Sequence, residues 1–125
     1  MQTLERLFST TQKERMLAAI PQRVSCRAFS AEPSPADWAA MAYAASRYTL
    51  PGARLILMNC PEELFTGTLL NMGRVTGCRA VAVVAASSTV ENSRIYAGIT
   101  GEALTLEAVS MGLGACWISG TYRKK

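Results

Sequence analysis

The chain has 125 residues, of which 50% are hydrophobic and 18% charged, and 13 Lys+Arg set against 9 Asp+Glu leave a net charge of +4. That composition excludes a disordered chain and fits a single globular domain. No run approaches the ~20 apolar residues of a membrane span. There is no histidine at all, which removes Ser-His-Asp and Cys-His nucleophile systems and histidine metal ligands.

Four cysteines, Cys26, Cys60, Cys78 and Cys116, form no C-x-x-C pair and read as buried, reduced thiols. Arg123-Lys124-Lys125 supply most of the positive balance, and the other arginines are scattered. A basic stripe with interleaved aromatics is missing, so no nucleic-acid partner is expected. The opening Met1-Gln2-Thr3-Leu4-Glu5-Arg6 lacks a secretory apolar core, and a cytoplasmic location without membrane attachment is expected.

After a lead-in over residues 1–11, Thr11-Gln12-Lys13-Glu14 reads as a capping box. Met16, Leu17 and Ile20 share a face, which predicts a helix over about 12–20, ended by Pro21. A basic loop follows from Gln22 to Ser30. Ser34-Pro35-Ala36-Asp37 starts a second helix, running to Ser46, with serine as cap and proline at the first position. Pro51-Gly52 marks a turn, and Arg54 to Met58 reads as a strand. A short helix is predicted within Pro61–Leu70.

Arg79 to Ala86 is valine-rich without polar alternation, the pattern of a strand buried on both faces. Ile95, Ile99, Ala103, Leu106 and Val109 recur at helical spacing, predicting a long helix over about 94–111. Its broad apolar surface makes it either central in the domain or shared with a partner. Gly112-Leu113-Gly114 stops it, and Ala115 to Ser119 reads as a final strand. The mixture of helices and short strands predicts an α+β or α/β class.

Two places invite chemistry. In an extended Arg23-Val24-Ser25-Cys26-Arg27-Ala28-Phe29, side chains two apart share a side, so Arg23, Ser25 and Arg27 offer two guanidiniums and a hydroxyl to a phosphate. Surface arginines around a turn serine are the plainer alternative. At Gly112 to Gly120, glycines let backbone N–H groups approach a flat ligand near a strand end. Trp117 is positioned either to cover a ring face or to fill the core. Glu102 and Glu107 on the long helix are either polar groups near the site or ordinary surface carboxylates. Neither a full G-x-G-x-x-G nor a Walker loop is present.

Taken together, Ile20-Pro21-Gln22-Arg23-Val24-Ser25-Cys26-Arg27-Ala28-Phe29 and Tyr96 to Gly120, with its G-E-A-L…E-A…G-L-G…C-W-I-x-G wording, resemble the FMN-dependent nitroreductase family, in a compact, degenerate branch. The resemblance spans about residues 12–120 in matching order. It implies an α+β nitroreductase-like fold, with a central sheet flanked by helices and a long central dimer helix. It implies FMN as cofactor, with Arg23, Ser25 and Arg27 on its phosphate. Ser119 and Gly120 would lie at the ring edge, and Trp117 and Ile118 would line the approach.

Ser46 matches the serine of the family's S-x-x-N-x-Q-P-W stretch, whose asparagine, glutamine and tryptophan are missing here. The family also continues past the position of Gly120 with more strand and helix, so the expectation is a single domain over 1–125 lacking the family's C-terminal part. The implied function is hydride transfer from NAD(P)H through FMN to a nitroaromatic, quinone or similar acceptor, in a homodimer, with no protein nucleophile. The alternatives are a non-catalytic flavin-binding module and an interaction subunit that pairs through its long helix.

Overall fold

The computed structural model describes residues 8–26, 28–30, 32–60 and 77–117. Helix α1 spans Thr10–Ala19 and runs into a 3-10 turn at Ile20–Gln22. Helix α2 spans Pro35–Arg47, strand β1 Ala53–Asn59, strand β2 Ala80–Ala86 and helix α3 Ser93–Ser110. Among the described residues this is a small α+β fold: three helices and a two-stranded antiparallel sheet packed against them.

The caps explain the helix boundaries. α1 starts earlier than the Thr11 signal predicts, because Ser9 caps it instead. The Gln12 amide donates to Ser9 Oγ at 3.1 Å, and the Ser9 amide donates to Gln12 Oε1 at 2.7 Å. This reciprocal pair satisfies two otherwise unpaired donors and leaves Thr11 inside the helix. Pro21 does not simply stop the helix; it sits in the 3-10 turn, which then releases Arg23 into extended geometry (φ −71°, ψ 124°). α2 begins as expected, with the Asp37 amide donating to Ser34 Oγ at 3.0 Å and Pro35 at the first position. α3 ends in a Schellman arrangement. The Leu113 amide donates to the Ala108 carbonyl at 2.9 Å, the Gly112 amide to that of Val109 at 3.0 Å, and Gly112 takes φ +82°.

The 18-residue α3 is the axle of the domain, packing against α1, α2 and both strands. Its buried side carries Ala97, Thr100, Ala103, Leu104, Glu107 and Ala108. With Met16, Ala19, Ala44, Ala45, Tyr48, Leu50 and Leu106 the apolar members form the core. Phe8 meets the Tyr48 ring edge-on, with centroids 5.2 Å apart. The predicted faces are partly corrected. Met16 is buried, but Leu17 is 67%, Ile20 55% and Ile95 63% exposed. Ala19 takes the place on α1 that Leu17 and Ile20 were expected to share.

The strand at Ala80–Ala86 forms, but not as one buried on both faces. It pairs with β1 in the register Ala53↔Ala86 to Asn59↔Ala80, and Val83 remains 43% exposed. The final strand is reduced, among the described residues, to a parallel bridge between Ser25 and Ala115. The helix predicted in Pro61–Leu70 lies outside the described residues. No described helix is long and apolar enough to cross a membrane.

Candidate functional site

The basic loop after α1 and the glycine turn after α3 lie side by side. The Cys26 amide donates to the Ala115 carbonyl at 3.0 Å, continuing the Ser25–Ala115 bridge. Gly114 makes this contact possible: a Cβ there would stand 2.7 Å from Cys26 Sγ. A second glycine serves the other wall. A Cβ on Gly101 would stand 2.4 Å from Trp117 Cη2, so the indole rests on the bare backbone of α3.

Glu102 ties the two segments together through side chains. Trp117 Nε1 donates to Glu102 Oε1 at 3.0 Å, and Arg23 Nε stands 4.0 Å from Glu102 Oε2. The Arg23 side chain is 28% exposed and that of Glu102 43%, so this long ion pair is weak and contributes under ~1 kcal/mol. Arg23 therefore keeps donors for another anion.

Beside this junction opens a cavity of about 710 Å³, bounded by β2, α3, residues 28–30, 32 and 33, and the turn after α3. Phe29, Trp38, Leu104, Thr105 and Trp117 are among its walls. The charged side chains of its described lining are Glu32 and Arg79. The volume lies in the ~300–1,000 Å³ range of small-molecule sites, and the walls are mainly apolar with a few polar groups.

The site residues expected from sequence have distinct fates. Arg23, Ser25 and Trp117 are brought to one junction, with Ser25 exposed on the extended segment, and of the three Trp117 alone lines the cavity. Ser46 is not brought there: at the end of α2 its hydroxyl turns back to donate to the Tyr43 carbonyl at 2.7 Å, and it does not line the cavity. Arg27, Ile118, Ser119 and Gly120 lie outside the described residues. Glu107 is neither a site group nor a surface carboxylate. It is buried, and Arg15 Nη2 donates to both its oxygens at 3.0 Å.

Sequence reasoning passed over Arg79, Phe29 and Trp38. Arg79, a cation directly before the apolar β2 run, carried a usable signal; Phe29 and Trp38 carry no local pattern that marks a cavity wall. Among the described residues no Cys, Asp and Glu cluster suited to a metal is found.

Comparison with known proteins yields no matching family model, no matching curated protein and no matching solved structure.

Proposed function

We propose that the chain is an FMN-dependent oxidoreductase of nitroreductase-like character, working with NAD(P)H and a small acceptor such as a nitroaromatic or quinone. The observation that carries this reading is the Ser25–Ala115 bridge, which sets the phosphate-type loop beside the turn after the long helix. These are the two segments whose wording resembles the family, and they adjoin a cavity of suitable volume.

The described residues fit the cofactor. A flavin nucleotide needs cationic and hydroxyl donors at its phosphate and an apolar slot for its ring. Arg23 and Ser25 supply the first, and the cavity beside Trp117 the second. When bound, FMN supplies the hydride chemistry, taking electrons from NAD(P)H and passing them to the acceptor. The chain's residues bind and orient. Arg23 and Ser25, two apart on an extended segment, would hold the phosphate with a guanidinium and a hydroxyl from one side. Trp117, held by Glu102, would form one wall of the ring slot. Thr105 offers a polar group on α3, although its hydroxyl already donates to the Gly101 carbonyl at 3.0 Å. Arg27, Ser119 and Gly120 complete the reading by resemblance alone.

A second reading, an interaction subunit, is favoured by one observation. Leu17, Ile20 and Val24 are 67%, 55% and 73% exposed along α1 and its exit, and Ile95 is 63% exposed on α3. The same surface would serve the homodimer that the oxidoreductase reading includes. Titration of the purified chain with FMN separates the two. Saturable binding with a flavin spectrum bleached by NAD(P)H supports the enzyme. A dimer that stays colourless supports the subunit.

A further inference from the structure

The hydrogen-bond phase of the β1–β2 pair decides which backbone groups of β2 are left over. The Cys60 amide donates to the Arg79 carbonyl at 2.9 Å, and the Ser87 amide donates to the Gly52 carbonyl at 2.7 Å. Both bonds continue the register that sets Ala53 opposite Ala86 and Asn59 opposite Ala80. In an antiparallel pair, every second residue turns its N–H and C=O toward the partner strand. Arg79, Val81, Val83 and Ala85 therefore face β1, while Ala80, Ala82, Val84 and Ala86 turn theirs outward. The Ala80 carbonyl fits this phase, since it accepts from Cys78 Sγ at 3.1 Å. For the N–H and C=O of Ala82 and Val84, no hydrogen-bond partner is found among the described residues.

That outer edge opens on the cavity. Ala80, Val81, Ala82, Val83 and Val84 all line it. Side chains of successive strand residues point to opposite faces, so a consecutive run lines one space where that space meets the strand's edge. Trp117 borders the same edge. The bare Gly101 backbone under the indole is also approached by Val84, whose Cγ2 would stand 3.2 Å from a Cβ there. β2 carries no proline, glycine or charge of the kind that guards a solvent-exposed edge. Along it the free groups run donor, acceptor, donor, acceptor: Ala82 N–H, Ala82 C=O, Val84 N–H, Val84 C=O.

We propose that the backbone of Ala82 and Val84 is the reader of the ligand's ring: it pairs with the imide edge of a planar heterocycle, the C=O, N–H, C=O rim at the pyrimidine end of a flavin. The assignment deepens the flavin reading and rests on it for the identity of the ring. The Ala82 and Val84 amides donate to the two imide carbonyls, and the Ala82 carbonyl accepts from the imide N–H. The match is specific because the order of donors and acceptors is set by the strand and not by side-chain rotamers. It also gives the otherwise apolar cavity the few placed polar groups that orient a ligand. The small Ala82 side chain leaves that stretch of backbone open to a flat ring.

The test titrates the full chain with lumiflavin, which has the ring and no phosphate, and with 3-methyllumiflavin, whose imide N–H is blocked. Residue-resolved amide hydrogen exchange is followed in parallel. Lumiflavin should bind saturably, and the 3-methyl compound about tenfold or more weakly, since one donor is lost and its acceptor is left unpaired. Exchange at the Ala82 and Val84 amides should be fast in the free chain and slow with lumiflavin, while the Val81 and Val83 amides, already in the ladder, stay unchanged. No binding of lumiflavin, equal binding of the two compounds, or unchanged exchange at Ala82 and Val84 at saturation overturns the proposal. A parallel titration with FMN keeps the two readings apart. FMN that binds and is bleached by NAD(P)H without slowing those two amides overturns the edge assignment and leaves the oxidoreductase. Lumiflavin that slows them in a chain that does not retain FMN supports the edge and overturns the oxidoreductase.

Discussion

The amide of Cys26 donates to the carbonyl oxygen of Ala115 at 3.0 Å, so the exit of the first helix and the exit of the last share a strand-like seam. Arg23 projects at one end of that seam and Trp117 at the other, and Glu102 faces both.

Arg23→Ala should weaken FMN binding by roughly ten- to a hundredfold, since a hydrogen bond to a charged group contributes about 1.5–3 kcal/mol. Glu102→Gln should have the opposite sign, because it removes the carboxylate that stands 4.0 Å from Arg23 and would repel a phosphate. Fluorescence titration of FMN at low and moderate salt reads both. Equal affinity for all three proteins would remove Arg23 from the phosphate site.

Gly101→Ala should disturb the indole wall directly. The new methyl would need the space held by Trp117 Cη2 at 2.4 Å and Cζ2 at 2.8 Å. Overpacking of this kind costs about 1–3 kcal/mol when the neighbour must move. The exposed indole can swing aside, so the expected cost is at the low end. The clearer readouts are a red shift in tryptophan emission and weaker FMN binding. Emission identical to the wild type would show that Trp117 does not rest on α3.

Tyr48 should make the fold sensitive to alkali. Its ring is fully buried, and its hydroxyl has no hydrogen-bond partner among the described residues. Burial first, then the nearby Glu107 carboxylate, push its pKa up to about 12 from 10.0, against the opposing charges of Arg15 and Arg47. A group raised on folding holds its proton longer in the native state. Its stabilising contribution is therefore full below about pH 10 and is lost as pH rises toward 12. Cys78, raised from 9.0 to about 11, adds the same sign over a lower window. Denaturant melts should show stability falling between about pH 9 and 12, by on the order of 2 kcal/mol from Tyr48 alone. Tyr48→Phe should flatten the upper part of that slope and cost little at neutral pH. An unchanged slope in the variant would contradict the assignment.

Ser34→Ala should lower stability by about 1 kcal/mol, because the Asp37 amide loses its acceptor. Ser34→Asp should retain most of the cap. Chemical denaturation of the two variants checks this, and a negligible loss in Ser34→Ala would mean that α2 is held by packing alone.

Local signals were legible where one side chain decides the outcome. Ser34-Pro35 starts α2, and the Gly112 conformation ends α3, both as the sequence predicts. The strand pair at residues 53–59 and 80–86 was visible as two apolar runs, but its antiparallel pairing and partial exposure were not. Those depend on what covers each face, which periodicity does not encode. The same reason explains Leu17, which shares a helical face with Met16 in sequence yet points to solvent. Glu107 shows the limit most clearly. Its partner Arg15 is 92 residues away in the chain, and no local pattern foretells that one guanidinium nitrogen meets both oxygens of a buried carboxylate. At the site, Arg23, Ser25 and Trp117 were legible as separate candidates; Glu102 as the common neighbour of Arg23 and Trp117 required the fold.

The measurement that bears most directly on the central claim is the visible absorption spectrum of the purified chain with added FMN, before and after anaerobic NAD(P)H. The account predicts a stoichiometric flavin band that survives desalting and bleaches on addition of the reductant. A chain that releases all FMN on desalting and leaves the band unchanged by NAD(P)H would contradict it.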